Sequence, residues 1–339
     1  MRIGVLTAGG DCPGLNAAIR GVVTRAAAAG AETVGFENGW AGLIEGRHRV
    51  LGRDDVRGIA MRGGTILGTS RLDPYVHGEG YASVRTAVEN IGVERLVVIG
   101  GDGTLRTAAR LGEEGLGVIG VPKTIDNDIG GTDVTFGFHT AVQIVTDAID
   151  RLTTTAEAHN RVMVVEVMGR TTGWIATYAG MAGGAEAILV PELSYDIDDL
   201  AARLVRRHES GRSYSIVVVA EGAAAPGGEI RTTGVDAFGF ERLGGVGETI
   251  ASHIERATGF ESRSMVLGHL QRGGTPTAFD RILATRLGVG AAEAALAGKT
   301  GVMMALRGDE IVAVDLAEAC RDVRELDPAR YAEAAWFFA

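Results

Sequence analysis

Eight short runs dense in β-branched and other apolar residues punctuate the chain: RIGVLTA, ETVGF, RLVVIG, LGVIGVP, RVMVVEVM, AILVPE, SIVVVAEG and SMVLGH. A run that is apolar at consecutive rather than alternate positions suits a strand covered on both faces, the hallmark of parallel sheets. Between several runs lie segments with helical spacing of apolar residues. LNAAIRGVVTRAAAAG is alanine-rich and stops at Gly30, TLRTAARLGEEG follows a glycine turn, FHTAVQIVTDAIDRLTTTA follows a loop, and DIDDLAARLVRRHESG ends at Gly211. The alternation predicts an α/β fold of mainly parallel sheets covered by helices. At 339 residues there is chain for two lobes, each with its own core, and a break near residue 138 divides the series of runs.

In such sheets ligands bind beyond the carboxyl ends of the strands, so polar turns at those ends carry the functional expectation. Five occur: AGGDCPGLN after the first run, GGDGT, PKTIDND, MGR and EGA. The 51 glycines, about twice the usual share, cluster where strands end, as needed where backbone approaches a ligand closely. Net charge of −10 argues against nucleic acid as a partner, while leaving room for local arginine clusters that bind phosphorylated small molecules. Cys12 and Cys320 alone make a disulfide framework unlikely to be the organising principle and fit a reducing compartment. No apolar run nears the roughly 20 residues that span a bilayer, and MRIGVLTAGG opens on a strand with no sign of a signal peptide. A cytoplasmic protein without a membrane partner is expected. Residues 223–245, polar and glycine-rich, read as a long surface insertion, and the tail DPARYAEAAWFFA as helical with aromatics free to pack on another subunit.

The turns differ in the chemistry they suit. GGDGT ends a strand and opens a helix, so backbone N–H groups and the helix dipole face a phosphate, and Asp102 is placed to hold Mg²⁺. VPKTIDND sets Asp126 and Asp128 two residues apart, so an extended backbone turns both to one face with Thr124. One such carboxylate suits removal of a hydroxyl proton while the other raises the cost of ionising both. Lys123 beside them suits a site that handles phosphate. Arg71, Arg161, Arg170, Arg263 and Arg272, with His269, recur beside glycines at strand ends, and guanidinium forks grip phosphate oxygens in bidentate fashion. AGGDCPGLN is not GxGxxG, and GKT at 298–300 lacks a Walker glycine because position 293 is Glu293.

Together GGDCPGLN, RGGTILGTSR, GGDGT, PKTIDND, HNR, VMGRTTGW, AEG and LGHLQRGG, in that order over about residues 1–290, closely resemble the phosphofructokinase family. The resemblance implies two doubly wound, Rossmann-like lobes with the active site in the cleft between them. Residues 1–137 with about 271–320 would form the larger, donor-binding lobe. About 138–270 with 321–339 would form the smaller lobe, binding fructose 6-phosphate. It implies phosphoryl transfer to the 1-hydroxyl of that sugar, giving fructose 1,6-bisphosphate. Asp126 matches the general base, Asp128 its support and Asp102 the magnesium carboxylate. Thr124, Arg71 and Arg170 match groups that stabilise the transferring phosphoryl. Gly10, Arg71, Leu72, Asp102, Gly103, Thr104 and Lys123 match the donor site. The sugar phosphate would meet Thr124, Ile125, Asp126, Met168, Gly169, Arg170, Glu221, His269, Leu270, Gln271 and Arg272. Arg161 and Arg263 match arginines that reach in from a neighbouring subunit, which implies a homotetramer or homodimer.

Two departures from the family pattern matter. Pyrophosphate-using members typically carry aspartate at position 103 and lysine at 123, whereas typical bacterial ATP enzymes carry glycine at both; this chain has Gly103 and Lys123. A side chain at 103 would crowd the path of a nucleotide past its β-phosphate, so volume favours ATP with Mg²⁺ as donor, with pyrophosphate as the alternative. Arg20 and Arg53 match two cations of the family's effector pocket. Thr24 and Thr153 stand where arginines are expected, and GRSYS at 211–215 lacks the lysine cluster, so a weak or altered effector response is expected.

Overall fold

In the computed structural model, residues 1–224, 230, 232–235 and 241–338 are described. The strands, in chain order, are β1 (Arg2–Ala8), β2 (Glu32–Phe36), β3 (His48–Leu51), β4 (Arg95–Gly100), β5 (Val118–Thr124), β6 (Phe136–Gly137), β7 (Val162–Val167), β8 (Ala187–Leu189), β9 (Ser215–Ala220), β10 (Thr232–Val235), β11 (Glu241–Leu243), β12 (Ser262–Val266), β13 (Val302–Arg307) and β14 (Glu310–Asp315). The chain divides into two compact units, Met1–Thr140 with Arg272–Arg324, and Ala141–Gln271 with Glu325–Ala339. Their breaks fall at 140, 271 and 324, against expected breaks near 138, 271 and 320.

The first unit holds a sheet ordered β14-β13-β5-β4-β1-β2-β3, with β6 paired to β5. Its inner pairs are parallel, and the antiparallel pairs β2–β3 and β13–β14 close its two edges. The runs predicted from RIGVLTA and RLVVIG are buried along nearly their whole length, as a strand covered on both faces must be. Leu6, Phe36, Leu96, Val98, Leu105 and Leu111 form part of the core on one face. On the other, helices Leu15–Ala28 and Ala278–Leu296 pack backbone to backbone. A Cβ on Gly21 would lie 2.5 Å from Thr285 O, and one on Gly288 would lie 2.2 Å from Ala18 O, so both positions exclude any larger residue.

The second unit has an all-parallel four-stranded sheet ordered β12-β7-β9-β8. Helices Ile197–Glu209 and Val246–Thr258 bury Leu200, Leu204, Ile250 and Ile254 against Val162, Val164, Val217 and Val219. Glu166, a buried carboxylate in β7, accepts from Gly245 N at 3.0 Å and Gly247 N at 2.8 Å. It thereby satisfies the otherwise unpaired amides that start the helix Val246–Thr258. Asp280 does the same in the first unit, accepting from Thr140 N at 2.7 Å at the start of the helix Phe138–His159.

Of the stretch expected to be a surface insertion, β10 pairs antiparallel with β11. Residues 225–229, 231 and 236–240 lie outside the described residues. The tail forms a helix, Pro328–Ala335, with Asp327 as its cap, followed by the exposed Trp336 and Phe337. Among the described residues, no helix is long and apolar enough to cross a membrane.

Candidate functional site

In the first unit three strand ends stand side by side. Ala8 of β1 is in register with Gly100 of β4, and Gly100 with Pro122 of β5. The turns beginning at Gly9, Gly101 and Thr124 therefore emerge on one edge of the sheet, the edge where α/β sheets bind ligands. Long-range hydrogen bonds lock the first turn. Gly9 N donates to Ser70 O at 2.9 Å, and Thr69 Oγ1 donates to Gly9 O at 2.6 Å, which brings the segment bearing Arg71 alongside. Arg272 Nη1 donates to Asp11 O at 3.3 Å, and a Cβ on Gly10 would fall 2.4 Å from that nitrogen. A side chain at Gly10 would make the Arg272 guanidinium shift.

GGDGT opens the helix Asp102–Glu113. Asp102 lies in the first turn, half-buried, with Oδ1 accepting from Arg106 Nε at 2.8 Å. Gly103 follows, exposed, and a Cβ there would meet nothing within 4 Å. Thr104 faces back toward Gly9. Leu72 packs against the core, so its side chain is structural.

Lys123 lies inside the first unit rather than at its surface. It is 3% exposed, and Nζ donates to Gly10 O at 2.5 Å, bridging the turns after β1 and β5. Burial pushes its pKa down and the charge of Arg272 adds to that shift, while the charges of Asp126 and Asp128 oppose it. Ile125 is wholly buried too, so only its backbone remains to face a ligand.

The carboxylate turn is tightly built. Asp126 N donates to Thr124 Oγ1 at 3.1 Å. Asn127 is buried with φ of 55°, in the left-handed region that asparagine tolerates, and its Oδ1 accepts from Thr135 N at 3.0 Å. Thr135 Oγ1 in turn donates to Thr124 O at 2.8 Å. Burial, then the charge of Asp126, then that of Asp102 push the Asp128 carboxyl up to about 7. Asp128 Oδ1 is buried with no hydrogen-bond partner among the described residues. The charges of Asp126 and Asp102 thus reach Asp128, and that of Lys123 opposes them.

In the second unit the turns after β7 and β9 are neighbours. Glu221 N donates to Val167 O at 2.8 Å, and Thr172 N donates to Gly169 O at 2.8 Å. Arg170 has φ of 48°, a costly conformation for a non-glycine residue and one that concentrates at functional sites. Gly222 permits it: a Cβ there would lie 1.7 Å from Arg170 O. Met168 N donates to Gln271 Oε1 at 3.2 Å. Gln271 is wholly buried, and its side chain braces the Met168 turn. His269 and Leu270 are exposed just before it.

Arg161 and Arg263 stand elsewhere. Arg161 precedes β7 and Arg263 lies at the start of β12, whereas Met168–Arg170 follow the other end of β7. A six-residue strand separates the two ends by about 20 Å. Both arginines bind Glu261, at 2.8 Å and 2.6 Å. A single chain does not bring them to the Arg170 turn. Of the positions matched to an effector pocket, Arg20 and Arg53 are exposed, and Thr153 Oγ1 donates to Ile149 O within its helix at 2.9 Å.

Sequence reasoning passed over Asn127, Thr135, Gln271 as a brace, Glu166 and Asp280. Asp280 carried a signal: Thr277 followed three residues later by an acid is a helix-start pattern, and Thr277 Oγ1 does accept from Asp280 N. Gln271 and Glu166 act through partners about 80 to 100 residues away, and Asn127 and Thr135 through bonds 8 and 11 residues long that no local pattern announces.

Comparison with known proteins agrees with these turns. The family model described as Phosphofructokinase matches residues 2–295. A pyrophosphate–fructose 6-phosphate 1-phosphotransferase of Amycolatopsis methanolica is 55% identical over 342 residues, covering 100% of both chains. ATP-dependent 6-phosphofructokinase 3 of Streptomyces coelicolor is 52% identical over 337 residues, covering 98% of this chain and 99% of that one. The phosphofructokinase of Pichia pastoris in the T-state has a TM-score of 0.85 at 33% identity, covering 94% of this chain and 35% of that chain. Family model and full-length relatives coincide on the same residues: the chain belongs to the phosphofructokinase family.

Proposed function

We propose that the chain transfers the γ-phosphoryl of ATP to the 1-hydroxyl of fructose 6-phosphate, releasing ADP and fructose 1,6-bisphosphate. Asp126 takes the hydroxyl proton as the sugar oxygen bonds to phosphorus and the bond from phosphorus to the β-phosphate oxygen breaks. Such transfer needs positioning and charge neutralisation rather than covalent catalysis, which suits Thr124, Arg71 and Arg170 as donors to the moving phosphoryl. Glu221, Met168, His269 and Arg272 orient the sugar phosphate. Asp128 beside Asp126 makes ionisation of both carboxyls at once costly, which suits one of the pair to take up a proton.

Among the described residues no group of three or more His, Cys, Asp or Glu side chains could hold a metal ion by itself, so a magnesium ion would rest on a carboxylate together with the donor's phosphate oxygens and water. The unsatisfied Asp128 Oδ1 and the mutual repulsion of Asp102, Asp126 and Asp128 mark a local need for positive charge. Asp102 would hold the ion, with Asp128 in support, and bound magnesium supplies charge neutralisation on the donor's phosphates.

The donor assignment rests on Gly103, where the backbone leaves open space beside the first turn of the helix Asp102–Glu113. A bare turn admits a nucleotide beyond its β-phosphate. The buried engagement of Lys123 with Gly10 O weakens its claim as a marker of pyrophosphate use. Pyrophosphate stands as the second reading because relatives at 55% and 51% identity carry that donor in their names. Initial rates with ATP and with pyrophosphate, at matched magnesium and saturating fructose 6-phosphate, decide between them. A higher kcat/KM for pyrophosphate overturns the ATP assignment. A dimer or tetramer placing Arg161 and Arg263 beside a partner's sugar site accords with their separation from Arg170.

A further inference from the structure

Arg324 lies beyond the matched residues 2–295, at the last position of the first unit, yet it meets the carboxylate turn directly. Its backbone N donates to Asp128 O at 2.8 Å, and its Nη1 donates to Asn127 O at 3.4 Å. The preceding residue, Val323, forms an antiparallel bridge with Ile129. These contacts join residues nearly 200 apart in sequence, with a separation of 197 for the guanidinium bond.

The two carbonyls gripped are not arbitrary. Asn127 O belongs to the peptide plane entering Asp128 and Asp128 O to the plane leaving it. Holding both planes fixes φ and ψ at Asp128, and with them the direction in which its side chain leaves the backbone. On the inner side, Thr135 holds Asn127 Oδ1 and Thr124 O, so Asn127 keeps its left-handed conformation. Without an outer restraint, a left-handed non-glycine residue relaxes toward commoner backbone angles and swings its neighbour. Displacements of about 1 Å at a catalytic group cost on the order of 100-fold in rate.

We infer that Arg324 is a positioning residue that aims Asp128, and through it the proton-accepting pair, from a segment beyond the residues that the family model matches. The inference rests on the phosphotransfer reading for its kinetic consequence and on geometry alone for its structural one.

The test uses the full-length protein with Arg324→Ala, Arg324→Lys and Asp128→Asn, and the double variant of Arg324→Ala with Asp128→Asn. Arg324→Ala keeps the backbone bond to Asp128 O and removes the guanidinium bond to Asn127 O; it is expected to lower kcat about tenfold with both KM values within about threefold, and Arg324→Lys to recover most of the loss. In the Asp128→Asn background, Arg324→Ala is expected to lower kcat by less than about twofold, because its target is gone. A general structural role would instead multiply the two losses, and that outcome overturns the inference. Amide hydrogen exchange gives an arm independent of activity: Arg324→Ala should raise exchange over residues 125–130 with the melting temperature nearly constant. Unchanged exchange there also overturns it. Inactivity of the parent protein with either donor would sink the functional reading, while the exchange arm would still decide the positioning role.

Discussion

Replacing Gly103 by aspartate separates folding from donor choice with unusual clarity. Gly103 is exposed, is the second residue of the helix Asp102–Glu113, and would present its Cβ to open space. The substitution therefore needs no rearrangement. Gly→Asp in a first helical turn gains about 0.3–0.5 kcal/mol in propensity and a further ~0.3–1 kcal/mol from the macrodipole, less some repulsion from Asp102. The melting temperature should hold or rise slightly. The new carboxylate would stand within about 6 Å of an incoming nucleotide phosphate, where like charges repel by roughly 1–3 kcal/mol between aqueous and interface-like dielectric values. That is about a 5- to 150-fold loss in kcat/KM for ATP. Steady-state kinetics with ATP at fixed magnesium, alongside a thermal melt, give both numbers from one preparation. A folded variant with unchanged ATP kinetics would refute the volume-and-charge argument, since nothing else at this position offers compensation.

Asp126→Asn should lower kcat by about 10²–10⁴, the usual worth of a general base, with fructose 6-phosphate binding by calorimetry nearly intact. Asp128 makes stability depend on pH. Its folded pKa of about 7 exceeds the ordinary 3.8, so its contribution is full below about pH 4 and is lost as pH rises toward 7. Without divalent metal, Asp128→Asn should thus gain roughly 2–4 kcal/mol relative to the parent at pH 8 but little near pH 4, measured by urea unfolding. Gly222→Ala drives a methyl into Arg170 O and should cost about 2–3 kcal/mol while raising KM for the sugar phosphate, whereas a neutral result would mean that the Arg170 turn yields easily.

The sequence exposed those parts of the fold whose physics is local. RIGVLTA and RLVVIG became β1 and β4 because consecutive apolar residues have nowhere else to go. EIVAVD, half-exposed along β14, gave a weaker pattern and was passed over, as was HRVL of β3. Both are edge strands whose pairing depends on a neighbour. At the site, Asp102, Asp126 and Asp128 were legible as carboxylates at strand ends. What their surroundings do was not. Lys123 bonding inward to Gly10, Gln271 holding Met168 N and Arg324 gripping the Asp128 turn each depend on partners more than 50 residues away. No local pattern encodes such partners.

The first unit is assembled from two separate stretches of chain, and this orders its formation during synthesis. The second unit's sheet is complete once residue 266 has emerged from the ribosome. The first unit must wait for the helix Ala278–Leu296, whose Gly288 seats against Ala18, and for β13, which pairs with β5. Residues 1–140, although translated first, thus carry an uncovered helix face and an open sheet edge through the making of the next 130 residues. Chaperone occupancy on nascent chains should peak in that interval and fall once β13 clears the exit tunnel.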